Sequence, residues 1–133
     1  MIGSNAFNYI NVLNKAADAS WKRNEVIANN IANNDTPDYK RKDILFEDYL
    51  KNEITKDYYG GGDLNRRVAD VDLSKLKTTV YTDQRELDYR KDGNNVDINT
   101  ENANLAENQI KYYTLLDSMS QEFSRIKSVL SRT

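Results

Sequence analysis

Apolar and small residues recur every three or four places through the first thirty-odd positions. The series is Ala6, Ile10, Leu13, Ala17, Ser20, Ile27 and Ile31, with Asn24 at one seam position. That spacing predicts an amphipathic helix with a narrow stripe, running from about Ser4 to Asn34. Ser4 or Asn5 is a suitable N-cap. Pro37 disfavours helical backbone at Thr36, so the helix should stop near Asn34.

The end of the chain carries a stricter pattern. Leu105, Gln109, Tyr112, Leu116, Met119, Phe123, Ile126 and Leu130 alternate spacings of four and three. A heptad held this long predicts a helix that pairs along a coiled-coil seam. Asn99 or Thr100 would cap it, and Glu101 would suit its first turn. Between Thr100 and Ser131 it would be about 48 Å long at 1.5 Å per residue. It must therefore lie against another long helix or against other chains. Leu116, Met119, Phe123 and Ile126 are expected to face the N-terminal helix.

Between the helices the pattern breaks down. The middle is dense in charge and contains Gly60-Gly61-Gly62. Lys77 to Tyr81 is the best strand candidate, from its β-branched and aromatic content. Leu45, Phe46, Tyr49, Leu50 and Ile54 suit a short amphipathic helix or a docked loop. Asp92-Gly93-Asn94-Asn95 suits a tight turn. The chain thus divides into 1–37, 38–95 and 96–133, the middle part being an irregular and partly mobile insertion.

Composition changes the picture mainly by exclusion. Of 133 residues, 38% are hydrophobic and 30% charged, and the net charge is -2. The compact core should be small, and there is no basic footprint for nucleic acid. The run Lys40-Arg41-Lys42 has acidic neighbours, Asp38 and Asp43, and reads as a solvated loop. Cysteine and histidine are both absent, which removes disulfides, thiol chemistry and the usual zinc sites. The N-terminus does not resemble a cleaved signal peptide, and no stretch is apolar enough for direct membrane insertion.

Candidate chemistry is thin. Without histidine, the common nucleophilic mechanisms lose their usual base. The triple glycine lacks the Gly-Lys-Ser/Thr of a phosphate loop. A calcium loop starting at Asp92 would need an oxygen ligand at its fifth place and glycine at its sixth, where Val96 and Asp97 stand. A carboxylate pair for glycoside cleavage remains open among 21 acidic residues, although none is singled out. No cofactor is implied. Amphipathic helices at both chain ends leave association as the leading reading.

The stretch "ANNIANNDTPDYKR" resembles the N-terminal motif of the bacterial flagellar axial proteins, the rod, hook and hook-associated family. The family pattern falls on Ala28, Asn29, Asn30, Ile31, Ala32, Asn33, Thr36 and Tyr39. The usual glycine before the tyrosine is Asp38 here, which must take a left-handed conformation at some cost if the backbone is the same. Downstream, "DGNNVDINTENANLAENQIKYYTLL" is similar to the C-terminal signature of the family's proximal rod members. The two stretches lie in the two ends of the chain.

This resemblance implies a mainly α fold. Long N- and C-terminal helices pack as an antiparallel coiled coil, around a middle insertion with at most short β structure. The helix-packing seam would comprise Ile10, Leu13, Ala17 and Ile27 with Leu105, Tyr112, Leu116, Met119, Phe123, Ile126 and Leu130. It also implies a structural subunit of the basal-body rod, the drive shaft across the periplasm. Such a subunit is exported without a cleaved signal by the flagellar type III export apparatus. Implied partners are other rod subunits, further copies of itself, and the adaptor to the membrane ring. The other function class is a non-polymerising adaptor or a rod-associated peptidoglycan-cutting enzyme with a carboxylate pair.

The asparagines have two readings. Asn29, Asn30, Asn33 and Asn34 lie on adjoining faces of the last helical turns. Each short amide can donate and accept. They would be a frayed helix end with an Asx turn, or would bond neighbouring subunits in a tube. The resemblance favours inter-subunit contact, with Asn29, Asn30, Ile31, Asn33, Thr36 and Tyr39 as the contact residues. On that reading these side chains are wet in the free protein.

Overall fold

A computed structural model describes residues 4–56, 62–87 and 90–132, with the side chains of residues 4–6 outside it. The side chains of Ser4, Asn5 and Ala6, and residues Gly60 and Gly61, therefore fall outside the description. Two long helices dominate: α1, Ser4–Ala32, and α4, Ile98–Leu130. They run antiparallel, with Trp21 against Tyr112 at 5.8 Å between ring centroids and Asn30 against Glu101 at 2.9 Å. Between them lie β1 (Lys42–Leu45), α2 (Glu47–Thr55), α3 (Leu64–Ala69), a 3-10 turn at Leu73–Lys75, and β2 (Thr79–Thr82).

The strands pair antiparallel, Lys42 opposite Thr82 and Leu45 opposite Thr79. This two-stranded ribbon is the short β structure expected in the middle. Too small to stand alone, it leans on α1. Charge did not prevent helix formation in the middle segment. α2 follows Phe46 with Glu47 and Asp48 in its first turn, where the helix dipole favours them. α3 is capped by Asp63, which accepts from the Arg66 N–H.

The stripe read from the sequence is one of two on α1. Ile10, Ala17, Ser20 and Ile27 are buried on that side, where Ser20 and Asn24 meet Asn108 of α4. A second stripe, Val12, Ala16, Ala19, Val26 and Asn30, faces the middle segment. There Val12, Ala19 and Val26 pack with Ile44, Phe46, Val71 and Leu76 as the hydrophobic core. Its polar members grip backbone. Asn8 donates to the Ala69 and Val71 carbonyls, and Arg23 donates to the Ile44 carbonyl and to Asp43 and Glu47. The apolar core thus sits between α1 and the middle segment, rather than between the long helices.

On α4 the seam departs from the strict heptad in three ways. The cap is Asp97, whose carboxylate accepts from Asn99 and Thr100 N–H groups, instead of Asn99 or Thr100 themselves. Asn108 is buried where the heptad reading put Gln109, which is exposed. Leu105, Tyr112, Leu116, Met119 and Ile126 are half-buried, but Phe123 is 56% and Leu130 60% exposed. Partnering along the pair therefore weakens toward the α4 C-terminus. Leu13 of α1 is half-buried. No described helix is long and apolar enough to cross a membrane.

Candidate functional site

The end of α1 and the start of α4 meet in a polar cluster. Asn30, at 0% exposure, stands at its centre. Its Nδ2 donates to the Lys42 carbonyl at 2.8 Å and to Glu101 Oε2 at 2.9 Å. Its Oδ1 accepts from the Lys42 N–H at 2.9 Å and the Tyr39 hydroxyl at 3.2 Å. Every hydrogen-bonding position of this amide is filled inside the chain. Helix α1, strand β1 and helix α4 are joined through one side chain.

Arg41 carries the same cluster further. Its guanidinium reaches Glu101 Oε1 at 2.8 Å, Asp83 Oδ2 at 3.3 Å and Asp43 Oδ2 at 3.2 Å. Burial alone would lower its pKa. The Glu101 hydrogen bond and charge outweigh burial and raise it, so it stays cationic. The Arg85 guanidinium beside Asp83 holds that carboxyl well below the usual carboxylate range, helped by Arg41 and against burial. A general acid for glycoside cleavage needs the opposite shift. Among the described residues no group of three or more His, Cys, Asp and Glu is placed to hold a metal ion.

Asn95 and Asn94 tie the turn before α4 into the cluster. Asn95 accepts from the Arg41 N–H and donates to the Asp83 and Arg85 carbonyls. Asn94, 1% exposed, donates to the carbonyls of Asn33, Asn34 and Thr36. Asp38 does adopt the left-handed conformation, φ 59°, beside Gly93 at φ 75°. Its N–H donates to the Asp92 carbonyl, so the strained residue anchors the loop to the turn.

The sequence-predicted contact residues separate here. Asn29 is exposed. Asn33 is half-buried, donating to the Asn29 carbonyl and accepting from the Thr36 hydroxyl. Thr36 is exposed, while Ile31 and Tyr39 are half-buried. Asn30, expected to be wet in the free protein, is instead fully buried and makes its hydrogen bonds inside the chain. The two stretches that carry the family resemblance are thus bonded to each other.

The family model described as "Flagella basal body rod protein" matches residues 10–40. The chain is 36% identical over 127 residues to the flagellar basal body rod protein FlgB of Bacillus subtilis, covering 91% of each chain. It is 34% identical over 128 residues to FlgB of Borrelia hermsii, covering 91% of this chain and 94% of the relative. FlgB of Escherichia coli is 34% identical over 128 residues, covering 87% of this chain.

The chain belongs to the FlgB family of flagellar basal body rod proteins. It is a structural subunit of the proximal rod, located in the basal body and built to assemble with other rod components. The similarity to FlgB covers 91% of this chain and so takes in the middle segment as well as both ends. Sequence reasoning missed Arg41, Asp83, Asn94, Asn95 and Asn108 as members of the site. Asn30 had a legible signal: it continues the stripe Val12, Ala16, Ala19, Val26 by one further step of four.

Proposed function

We propose that this chain polymerises with copies of itself and with other rod subunits through the outward surfaces of α1 and α4. The observation that supports the reading is the open apolar side of the second half of α4. Leu116, Met119 and Phe123 line a shallow groove there, and Val129 and Leu130 are exposed beyond it. An isolated protein gains nothing from such a surface, whereas assembly would bury it. The partners are flagellar rod subunits and the adaptor to the membrane ring. The site of assembly is the periplasmic rod, reached through the flagellar export apparatus. The subunit performs no catalysis.

Asn29, Ile31, Asn33, Thr36 and Tyr39 form the second contact region, at the end of α1. The residue dropped from this set is Asn30. The test pairs two assays on Asn29→Leu with Asn33→Leu: secreted subunit by immunoblot, and basal-body rods by electron microscopy. The expected result is secretion without rods, and a non-motile cell. Normal rods in the double variant would mean that these asparagines only finish a helix.

A further inference from the structure

We infer that Asn94 and Arg90 are positioning residues for assembly: they supply, from far downstream, the cap on the loop that leaves α1. This rests on the reading of Asn29, Asn33 and Thr36 as contact residues.

A helix ends with carbonyls that have no partner within it. In α1 these belong to the turns that carry the contact residues. A common solution is a glycine just past the end, with local backbone bonds. Asn33, Asn34 and Asp35 follow Ala32, and no glycine is present. Local bonds from the Asn33 and Asn34 N–H groups meet the carbonyls of Asn29, Asn30 and Ile31, whereas carbonyls of the loop beyond the helix are met by side chains 56 to 61 residues away. Asn94 Nδ2 donates to Asn33 O at 2.8 Å, Asn34 O at 3.0 Å and Thr36 O at 2.8 Å. Arg90 donates to Asn34 O at 2.8 Å and Asn34 Oδ1 at 3.1 Å.

The cap is itself held in place. Asn94 Oδ1 accepts from the Val96 N–H at 2.7 Å. Arg90 donates to the Val96 carbonyl and pairs with Asp92 at 2.8 Å. Lys40 closes the far side by donating to the Gly93 carbonyl at 2.6 Å. Asn94 is almost fully buried yet contributes no apolar surface, so its amide is there for these bonds. The loop from Asn33 to Asp38 consequently has one shape only while the 90–96 turn is docked. An N-terminal segment alone cannot present the contact surface; the downstream part of the chain must arrive first.

The test uses the full chain with Asn94→Asp, which keeps shape and puts a carboxylate where the donor was, and Arg90→Met as an independent second variant. Hydrogen exchange on the soluble subunit should rise at least tenfold at the amides of residues 33 to 39. Exchange of Val12 to Val26 should stay unchanged and circular dichroism should keep its helical signal. Rods should be lost in cells. Unchanged exchange in both variants would overturn the inference, as would normal rods despite faster exchange. Global unfolding of both variants would also overturn it, because the turn would then be core and not cap. Failure of the contact reading is separately visible as normal rods in Asn29→Leu with Asn33→Leu.

Discussion

Where α1 stops and α4 begins, the two helices meet through Asn24, Asn30, Glu101 and Asn108, and both Asn30 and Glu101 are at 0% exposure. Toward the other end the pair carries Phe7, Phe123, Val129 and Leu130, each with half or more of its surface open. The buried end is polar and the apolar end is wet, the reverse of what burial by hydrophobicity alone would give. Asn30 and Glu101 find their partners inside the chain, while Asn108 donates to α1 and keeps its buried Oδ1 without a partner. Apolar stripes slide along one another, whereas a buried amide or carboxylate is satisfied in one register only. The far end keeps its apolar surface for something else to cover.

The largest effect should come from breaking the motif end. Arg41→Met strips the buried Glu101 of its cation, while Asp83 and Asp43 keep Arg85 and Arg23. The expected loss is about 3–5 kcal/mol, read from urea unfolding of the isolated subunit. A loss below about 1 kcal/mol would put the motif end on a level with the far end.

Acid should weaken the motif side next. Burial alone would raise the Glu47 pKa, but the Arg23 hydrogen bonds and charge overcome it and lower the value to about 2. Asp83 is shifted the same way. Both folded values lie below the unfolded ones. This stabilisation is therefore full above about pH 4.3, the ordinary carboxylate value, and is lost as pH falls through the folded values. Glu47 is half-exposed, so solvent screens its share and Asp83 should dominate. Unfolding midpoints between pH 7 and pH 2.5 should drop chiefly below pH 4.3, and Arg85→Met should flatten that drop.

At the far end, Phe123→Ala should cost the isolated subunit under about 1 kcal/mol. A fully buried phenylalanine would cost about 3–5 kcal/mol, but this one is 56% exposed. Calorimetry of the subunit should therefore change little while rod formation falls. The smallest effect is Asp38→Gly. Relief of the left-handed backbone at φ 59° is partly cancelled by the greater freedom of glycine when unfolded. The expected gain is a few tenths of a kcal/mol, roughly the difference between those two terms, measured as a small rise in unfolding midpoint.

The helix pair was legible because side chains three and four apart share a face, and both seams repeat that spacing. The strand at Thr79–Thr82 was legible from its β-branched and aromatic residues. Other parts were hidden for physical reasons. The second stripe of α1 is made of alanine, valine, arginine and asparagine, whose packing value depends on what lies opposite. Asn108 looks like a surface residue until Ser20 O and Asn24 Oδ1 are seen to receive its amide at 2.7 and 2.8 Å. Glu101 fits a helix first turn on sequence grounds, yet its main partners, Arg41 and Asn30, stand 60 and 71 residues away. Long-range polar partners leave no periodic trace. Tyr49, Leu50 and Ile54 left α2 legible as a short helix or a docked loop, whereas the charged middle hid α3, whose buried face is short.

Helix α4 is thus well partnered at its start and open at its end. Hydrogen exchange along α4, in the isolated subunit and in purified basal bodies, tests that contrast most directly. Exchange should be slow around Asn108 in both states, with residues 119 to 130 fast in the subunit and slow in the rod. Equal protection along the whole of α4 in the isolated subunit would contradict it.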